Sequence, residues 1–433
     1  MKHALISTAL LLAACGQAAS DAPNNSYGPN PELPAPSGGL IPTVNTAHPV
    51  GWAANEAPQA PAGFTVMRFA ERLNHPRALL TLPNGDVLVA QASTQPDAGG
   101  GVGGWIKNSI QRGAGAFADN ANDIILLRDT DRNGRTDARF MFADHLNQPF
   151  GMALIGDAFY VANTDSVVRY HYATGATHLD GAGEVIMRIP THAGDNGHWT
   201  RTLAVSPDGA RLFVSVGSSS NLADYGIEVE RGRAAIWEMN PDGSDAHIYA
   251  SGLRNPAGLE FEPHTGELWT SVNERDMLGD NLAPDYMTHV QEGGFYGWPY
   301  SYWGQHVDTR MQPQNPASVA SALTPDFALG AHTASLGLHF YRGTALPEHY
   351  RNGAFVGQHG SWNRSQLVGY KVVFVPFANG RPSGAIEDFL TGFLDARNEA
   401  RGRPVGVGED ATGALLVADD VGNIVWRVAP SAP

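Results

Sequence analysis

Short apolar runs separated by turns recur along the chain, and six stretches repeat one pattern. A polar residue, usually followed by Pro, leads into small and apolar residues, a turn such as PNG or PDG, and a second apolar run. The copies are NHPRALLTLPNGDVLVAQ from Asn74, NQPFGMALIGDAFYVAN from Asn147, WTRTLAVSPDGARLFVSVG from Trp199, RNPAGLEFEPHTGELWTSVNE from Arg254, HTASLGLHFYRG from His332 with GAFVGQHGSW following, and GRPVGVGEDATGALLVADD from Gly402. Runs rich in Val, Leu, Phe and Trp and bounded by Gly, Pro, Asn and Asp predict strands joined by tight turns. Each copy supplies two strands, and the residues between copies suffice for two more, which is the content of a propeller blade. The expected fold is all-β: a six-bladed β-propeller of four-stranded antiparallel blades over residues 63–433. A strand from Phe64 to Phe69 is placed to pair with Asn423 to Val428 and close the ring. A pair of β-sandwiches with similar turns is the competing arrangement.

In a propeller the inner strand of every blade begins at the same mouth of the central channel, so the heads of the repeats should converge there. Those heads supply His75 and Arg77, Gln148, His198 with Arg201, Arg254 with Asn255, His332 with Thr333, and Arg401 with Arg403. The chain has 43 acidic against 28 basic residues and a net charge of −15. Cations, imidazoles and amides gathered in so acidic a chain point to an anionic, planar or multiply hydrogen-bonding ligand. The same net charge speaks against nucleic acid, whose binders need a basic face.

The start, MKHALISTALLLAACGQ, places a basic residue before an apolar run too short to span a bilayer, the form of a secretory signal. Leu12-Ala13-Ala14-Cys15 resembles a lipobox, so residues 1–15 are expected to be a lipoprotein signal with Cys15 lipidated. Residues 16–62, rich in Pro, Ala, Asn and Ser, are expected to form a flexible tether. The protein would then sit in the cell envelope on the periplasmic side, held to the membrane by lipid alone. Cys15 is the only cysteine, which excludes disulfides, thiolate metal sites and a CxxCH haem attachment in the mature chain.

The stretches GHWTRTLAVSPDGARLFVSVGSSSN, SGLRNPAGLEFEPHTGELWTSVNERDMLGDNLAPDY, GGFYGWPYSYWG, ALGAHTASLGLHFY, GAFVGQHGSWNRS and GRPVGVGEDATGALLVADDVGNIVWRV carry a family resemblance. From Phe64 to Val428 the chain resembles the glucose/sorbosone dehydrogenases, quinoproteins related to soluble glucose dehydrogenase, and most of all their L-sorbosone dehydrogenase branch. The resemblance implies pyrroloquinoline quinone (PQQ) and Ca2+ at the channel mouth and oxidation of a sugar, sorbosone-like aldehyde or polyol, with electrons passed to a separate cytochrome or quinone. It makes His198, in GHWTR, the general base. It makes Arg254, Arg364, Arg401 and Arg403 partners for the cofactor carboxylates, with Asn255 on a quinone oxygen. Gln148, Arg201, His332 and Thr333 stand where cofactor or substrate contacts are expected. Calcium would take the backbone carbonyls of Glu274 and Arg275, although relatives carry Gly-Pro at this place.

Asp129, Asp131, Asn133 and Asp137 have the D-x-D-x-N-G spacing of an oxygen-ligand calcium loop, but Phe140 stands where an EF-hand has its glutamate, and a plain Asn-Gly turn explains the spacing equally well. Two rival functions share the expected fold: a calcium-dependent lactonase or esterase, and a non-catalytic propeller displayed on the envelope. The crowd of arginines at the repeat heads disfavours both.

Overall fold

The computed structural model describes residues 26–37, 43–96, 108–109, 111–117, 122–192 and 197–431. Six small antiparallel sheets follow one another along the chain as a six-bladed β-propeller. Their inner strands are Pro76–Thr81, Met152–Ile155, Leu203–Val205, Pro256–Phe261, Ser335–Phe340 and Pro404–Glu409, which are the first halves of the six repeats. In the sixth blade Phe64–Ala70 runs antiparallel to Ile424–Pro430, with Phe64 opposite Pro430 and Ala70 opposite Val425. The ring is thus closed by strands from the two ends of the propeller sequence.

Blade strands are covered on both faces by neighbouring sheets, which explains why strings such as Val87–Gln91 and Leu212–Val216 are buried throughout. Every gap between adjacent blades holds its own apolar cluster, for example Phe142 and Phe159 between the first two and Trp269 with Phe340 between the fourth and fifth. Trp269 meets Phe340 and Phe377 edge-on at 6.2 and 5.1 Å, and truncating a buried aromatic of this kind costs roughly 3–5 kcal/mol. On the axis itself, Ala78, Phe150, Trp199, Ala257, Leu336 and Val405, one from the start of each blade, pack together as a plug.

The plug divides the channel. Beyond it lies a cavity of about 560 Å³ lined by the later residues of the inner strands. Before it stand the repeat heads. Register shifts at Pro76/Ala78, Pro256/Gly258, Ser335/Gly337 and Pro404/Val407 place a bulge at the start of four inner strands. His75, Gln148 and His332 adopt left-handed backbone with φ of 56, 47 and 62°. Bulges and left-handed residues re-aim side chains that a regular strand would bury in the blade.

The structure departs from the expected tether. Tyr27–Gly28 adds a fifth strand to the fourth blade, Ala47 is buried, and Trp52 packs edge-on against Trp426 and Phe393. Residues 16–62 are too polar to build a core of their own, yet one Ala and one Trp suffice to enter a core already formed. Cys15 and the rest of residues 1–25 lie outside the described residues.

Candidate functional site

His198 sits where the second blade hands over to the third. Its Nδ1 lies 3.0 Å from the carbonyl oxygen of Ser218, and the Ser218 hydroxyl is itself turned to the carbonyl of Ser220 at 2.7 Å. Burial, reinforced by Arg254, Arg233 and Arg201, holds the imidazole well below its usual range. The ring is therefore neutral at physiological pH, with Nδ1–H donated to Ser218 and the Nε2 lone pair unengaged among the described residues. Arg201 supports this geometry, since its Nη1 donates to the carbonyl of His198 at 2.7 Å and its Nε to that of Thr164 at 3.1 Å. A methyl at Gly217 would fall 2.5 Å from Asn255 Oδ1 and 2.6 Å from His198 Cβ. Glycine alone lets the base candidate and the amide lie against the same stretch of backbone.

The buried arginines fall into two classes. Arg254 is paired with Asp276 at 3.3 Å and also donates to the carbonyls of Glu274 at 2.6 Å and Asn273 at 3.1 Å. Arg201, Arg364 and Arg403 form no salt bridge among the described residues, and each keeps a buried nitrogen without a hydrogen-bond partner. Asn255 Oδ1 is likewise buried and unpartnered. Unpaired buried cations are costly, so each of these side chains is suited to meet an anionic group.

A second group escapes any reading of the repeat heads alone. Asp420 accepts from His359 Nε2 at 2.8 Å and from Arg77 Nη1, while His75 Nδ1 stands off at 3.6 Å. Arg77 lies over the rings of Trp199 and Phe150, and Arg403 over that of Tyr370. Burial, together with Arg403 and Arg77, pushes His359 down to about 4 despite Asp420. Burial also lowers His75. Burial opposes ionisation of Asp420, but His359, His75 and Arg77 together outweigh it and hold its carboxyl well below the usual carboxylate range. His359 follows the second strand of the fifth blade and Asp420 that of the sixth. A hairpin's second strand returns to the mouth where its first began, so the residues after it, in GQHG and VADD, were the signal to read.

Other expected site residues are engaged within the protein. His332 bonds Asp276 at 3.2 Å and the carbonyl of Gly279 at 2.9 Å; burial opposes its protonation, but Asp276 outweighs it and raises the imidazole. Thr333 is fully buried on Asp285 at 3.0 Å, and Gln148 donates to the carbonyl of Ser93 at 2.9 Å. Arg401 turns to Glu56 at 3.2 Å and to the ring of Trp52, away from the unpaired arginines. At the place expected for calcium, the Glu274 carbonyl accepts a guanidinium N–H from Arg254. The Arg275 side chain is held by Asp308. Burial pushes the Glu274 carboxyl up to about 7 and that of Asp285 to about 6. On the turn after the first blade's third strand, carboxylate oxygens of Asp129, Asp131 and Asp137 lie within 4.8 Å of one another. Asp129 there accepts the backbone N–H groups of Asn133 and Gly134.

Comparison with known proteins agrees with the architecture. A Borreliella burgdorferi protein of uncharacterised function is 29% identical over 344 residues, 75% of this chain and 87% of its own length. The PQQ-dependent pyranose dehydrogenase of Coprinopsis cinerea is 27% identical over 292 residues, 53% of this chain but 39% of that enzyme. The holo form of its PQQ domain superposes with a TM-score of 0.69 at 20% identity, covering 89% of this chain and 100% of the domain. A calcium structure of the Trichoderma reesei carbohydrate-active enzyme of family AA12 gives 0.69 at 21% identity, covering 90% and 99%. The TrAA12-like family model matches residues 58–294 and 301–430, nearly the whole propeller, and the chain belongs to that family.

Proposed function

We propose that the protein is a PQQ-dependent dehydrogenase of sugars, sorbosone-like aldehydes or polyols, with His198 taking the proton of the reacting hydroxyl. The observation that carries this reading is the set of three buried arginines without carboxylate partners in a chain of net charge −15. PQQ bears three carboxylates, and Arg364 and Arg403 offer them free guanidinium donors while Asn255 offers an amide beside His198. Bound there, the quinone supplies a two-electron acceptor for the hydride leaving carbon. The sequence relative from Coprinopsis is a PQQ enzyme acting on pyranoses, which supports the substrate class.

His198 does its part in the neutral form. Donation of Nδ1–H to Ser218 fixes the tautomer, so Nε2 presents a lone pair and becomes the proton's destination as the C–H bond breaks. Burial, reinforced by three surrounding arginines, keeps the ring neutral, so the base is in its working form across the physiological range. Calcium belongs to this reading through the Trichoderma structure, but with Arg254 on the Glu274 carbonyl no ligand set is assigned and no step is drawn through the ion.

The His359–Asp420 pair favours a second reading for the base alone, since a carboxylate-oriented neutral imidazole is also suited to accept a proton. A lipid anchor at Cys15 and a separate electron carrier complete the proposal. Spectral titration of the purified protein with PQQ, followed by assay of the loaded protein with an artificial acceptor against a panel of sugars, tests it. A bound, reducible chromophore and sugar-dependent reduction are expected. A protein that binds no quinone at micromolar concentration would return the case to the lactonase or display readings.

A further inference from the structure

The segment before the propeller runs along the rim of the mouth. Asn45 N–H donates to the carbonyl of Trp362 at 2.9 Å, and Asn363 Nδ2 to that of Thr43 at 2.8 Å, beside Arg364. Ala47 is 1% exposed, and its carbonyl accepts Arg403 Nη2 at 3.4 Å. His48 and Val50 bracket Ala400 through backbone bonds of 2.8 Å each. Trp52 Nε1 then donates at 2.8 Å to Asp419 Oδ2, whose other oxygen accepts the Arg403 backbone N–H at 2.8 Å.

Arg403 is therefore gripped from two sides by this segment: its guanidinium through Ala47, its backbone through Trp52 and Asp419. The rest of its partners are few. Nη1 reaches the carbonyl of His359 at 3.5 Å, about as long as the bond to Ala47, the Tyr370 ring lies 4.8 Å away, and Nε has no hydrogen-bond partner among the described residues. A guanidinium so sparsely bonded has donors to spare for a ligand, but its direction depends on the few groups that hold it. Asp419 is itself fully buried and bonded to two indoles, Trp52 and Trp426 at 3.1 Å, so losing one N–H leaves a buried carboxylate undersatisfied next to the site.

We propose that residues 43–52 are a positioning element of the anion seat, holding Arg403 through the Ala47 carbonyl and the Trp52–Asp419 hydrogen bond. The inference rests on the PQQ reading above. The strap does not touch the reacting atoms; it sets the direction in which Arg403 meets a carboxylate.

The test is a set of PQQ titrations by absorbance and fluorescence on wild type, Trp52→Phe, Trp52→Ala and, as a control further along the segment, Gln59→Ala. Trp52→Phe keeps the ring packing and loses only the N–H. Its Kd for PQQ is expected to rise about threefold and that of Trp52→Ala about tenfold or more, with Gln59→Ala unchanged and kcat at saturating quinone near wild type. Should Trp52→Ala fail to fold, hydrogen exchange on wild type decides: amides of 43–52 should slow on adding PQQ. Unchanged Kd values in folded variants, or unchanged exchange in the strap, would overturn the inference while leaving the cofactor reading intact. Failure of wild type to bind PQQ at all would remove both.

Discussion

Blades four, five and six are tied together at the end of the channel away from the mouth. The imidazole of His339 lies 3.3 Å from Glu260 and 2.9 Å from Glu409, and Arg342 adds a contact of 3.0 Å to Glu260. Burial opposes protonation, but the two carboxylates outweigh it and push His339 up to about 9. An unfolded histidine titrates near 6.5, so the folded ring holds this proton more tightly. The sign follows directly: the stabilisation is complete below about pH 6.5 and is lost as pH rises through about 9. The displacement corresponds to roughly 3 kcal/mol, of which about 2 kcal/mol remains at pH 7.5. His339→Asn removes the cation and leaves Glu260 facing Glu409. Urea unfolding followed by tryptophan fluorescence, at about pH 6, 7.5 and 9.5, measures the effect. Wild type should be more stable than the variant at the lowest pH by the full amount, and the gap should narrow steadily toward the highest. Tyrosine and lysine titrations are common to both proteins and cancel in the difference. A gap that does not change with pH would show that His339 is not held protonated between the carboxylates.

Three further outcomes follow from the mouth. His198→Ala should lower turnover by roughly a hundredfold or more while leaving quinone affinity largely intact, as steady-state kinetics beside a PQQ titration will show; loss of affinity with normal turnover at saturation would make it a binding residue. Gly217→Ala forces a methyl against Asn255 Oδ1 and His198 Cβ and should cut kcat/KM at least about tenfold with little change in Tm, whereas wild-type kinetics would mean the two side chains need no fixed separation. Exhaustive chelation should abolish reconstitution by PQQ, with calcium restoring it better than magnesium; full activity after chelation would remove the ion from the mechanism.

The repeats made the ring legible because each hairpin carries its own turn and its own apolar strings, so blade count and closure needed no long-range information. The heads were legible for the same reason, and they delivered Arg254, Asn255, His198 and Arg403 to one mouth. What the sequence withheld was pairing. Asp420 meets Arg77 across 343 positions and His359 across 61, and only closure of the ring brings the first, fifth and sixth blades together. Arg401 and Arg403 look equivalent in the string ARGRP, yet one turns toward Glu56 and the other lies under the strap. The segment 43–62 lacks any periodicity, and a lone Trp52 gives no warning that it will bond a buried aspartate.

Closure by Phe64–Ala70 on Ile424–Pro430 also sets an order of events in synthesis. The strand that opens the propeller sequence has its partner in the residues made last, so it waits unpaired while five blades emerge and stack. The axial plug has the same timetable, because Val405 is supplied only by the final blade. A chain truncated before Ile424 would retain five complete sheets, an open groove and two exposed strand edges, the form most prone to pair with a neighbour. The vulnerable interval therefore falls at the end of synthesis, when a nearly finished ring is still a crescent.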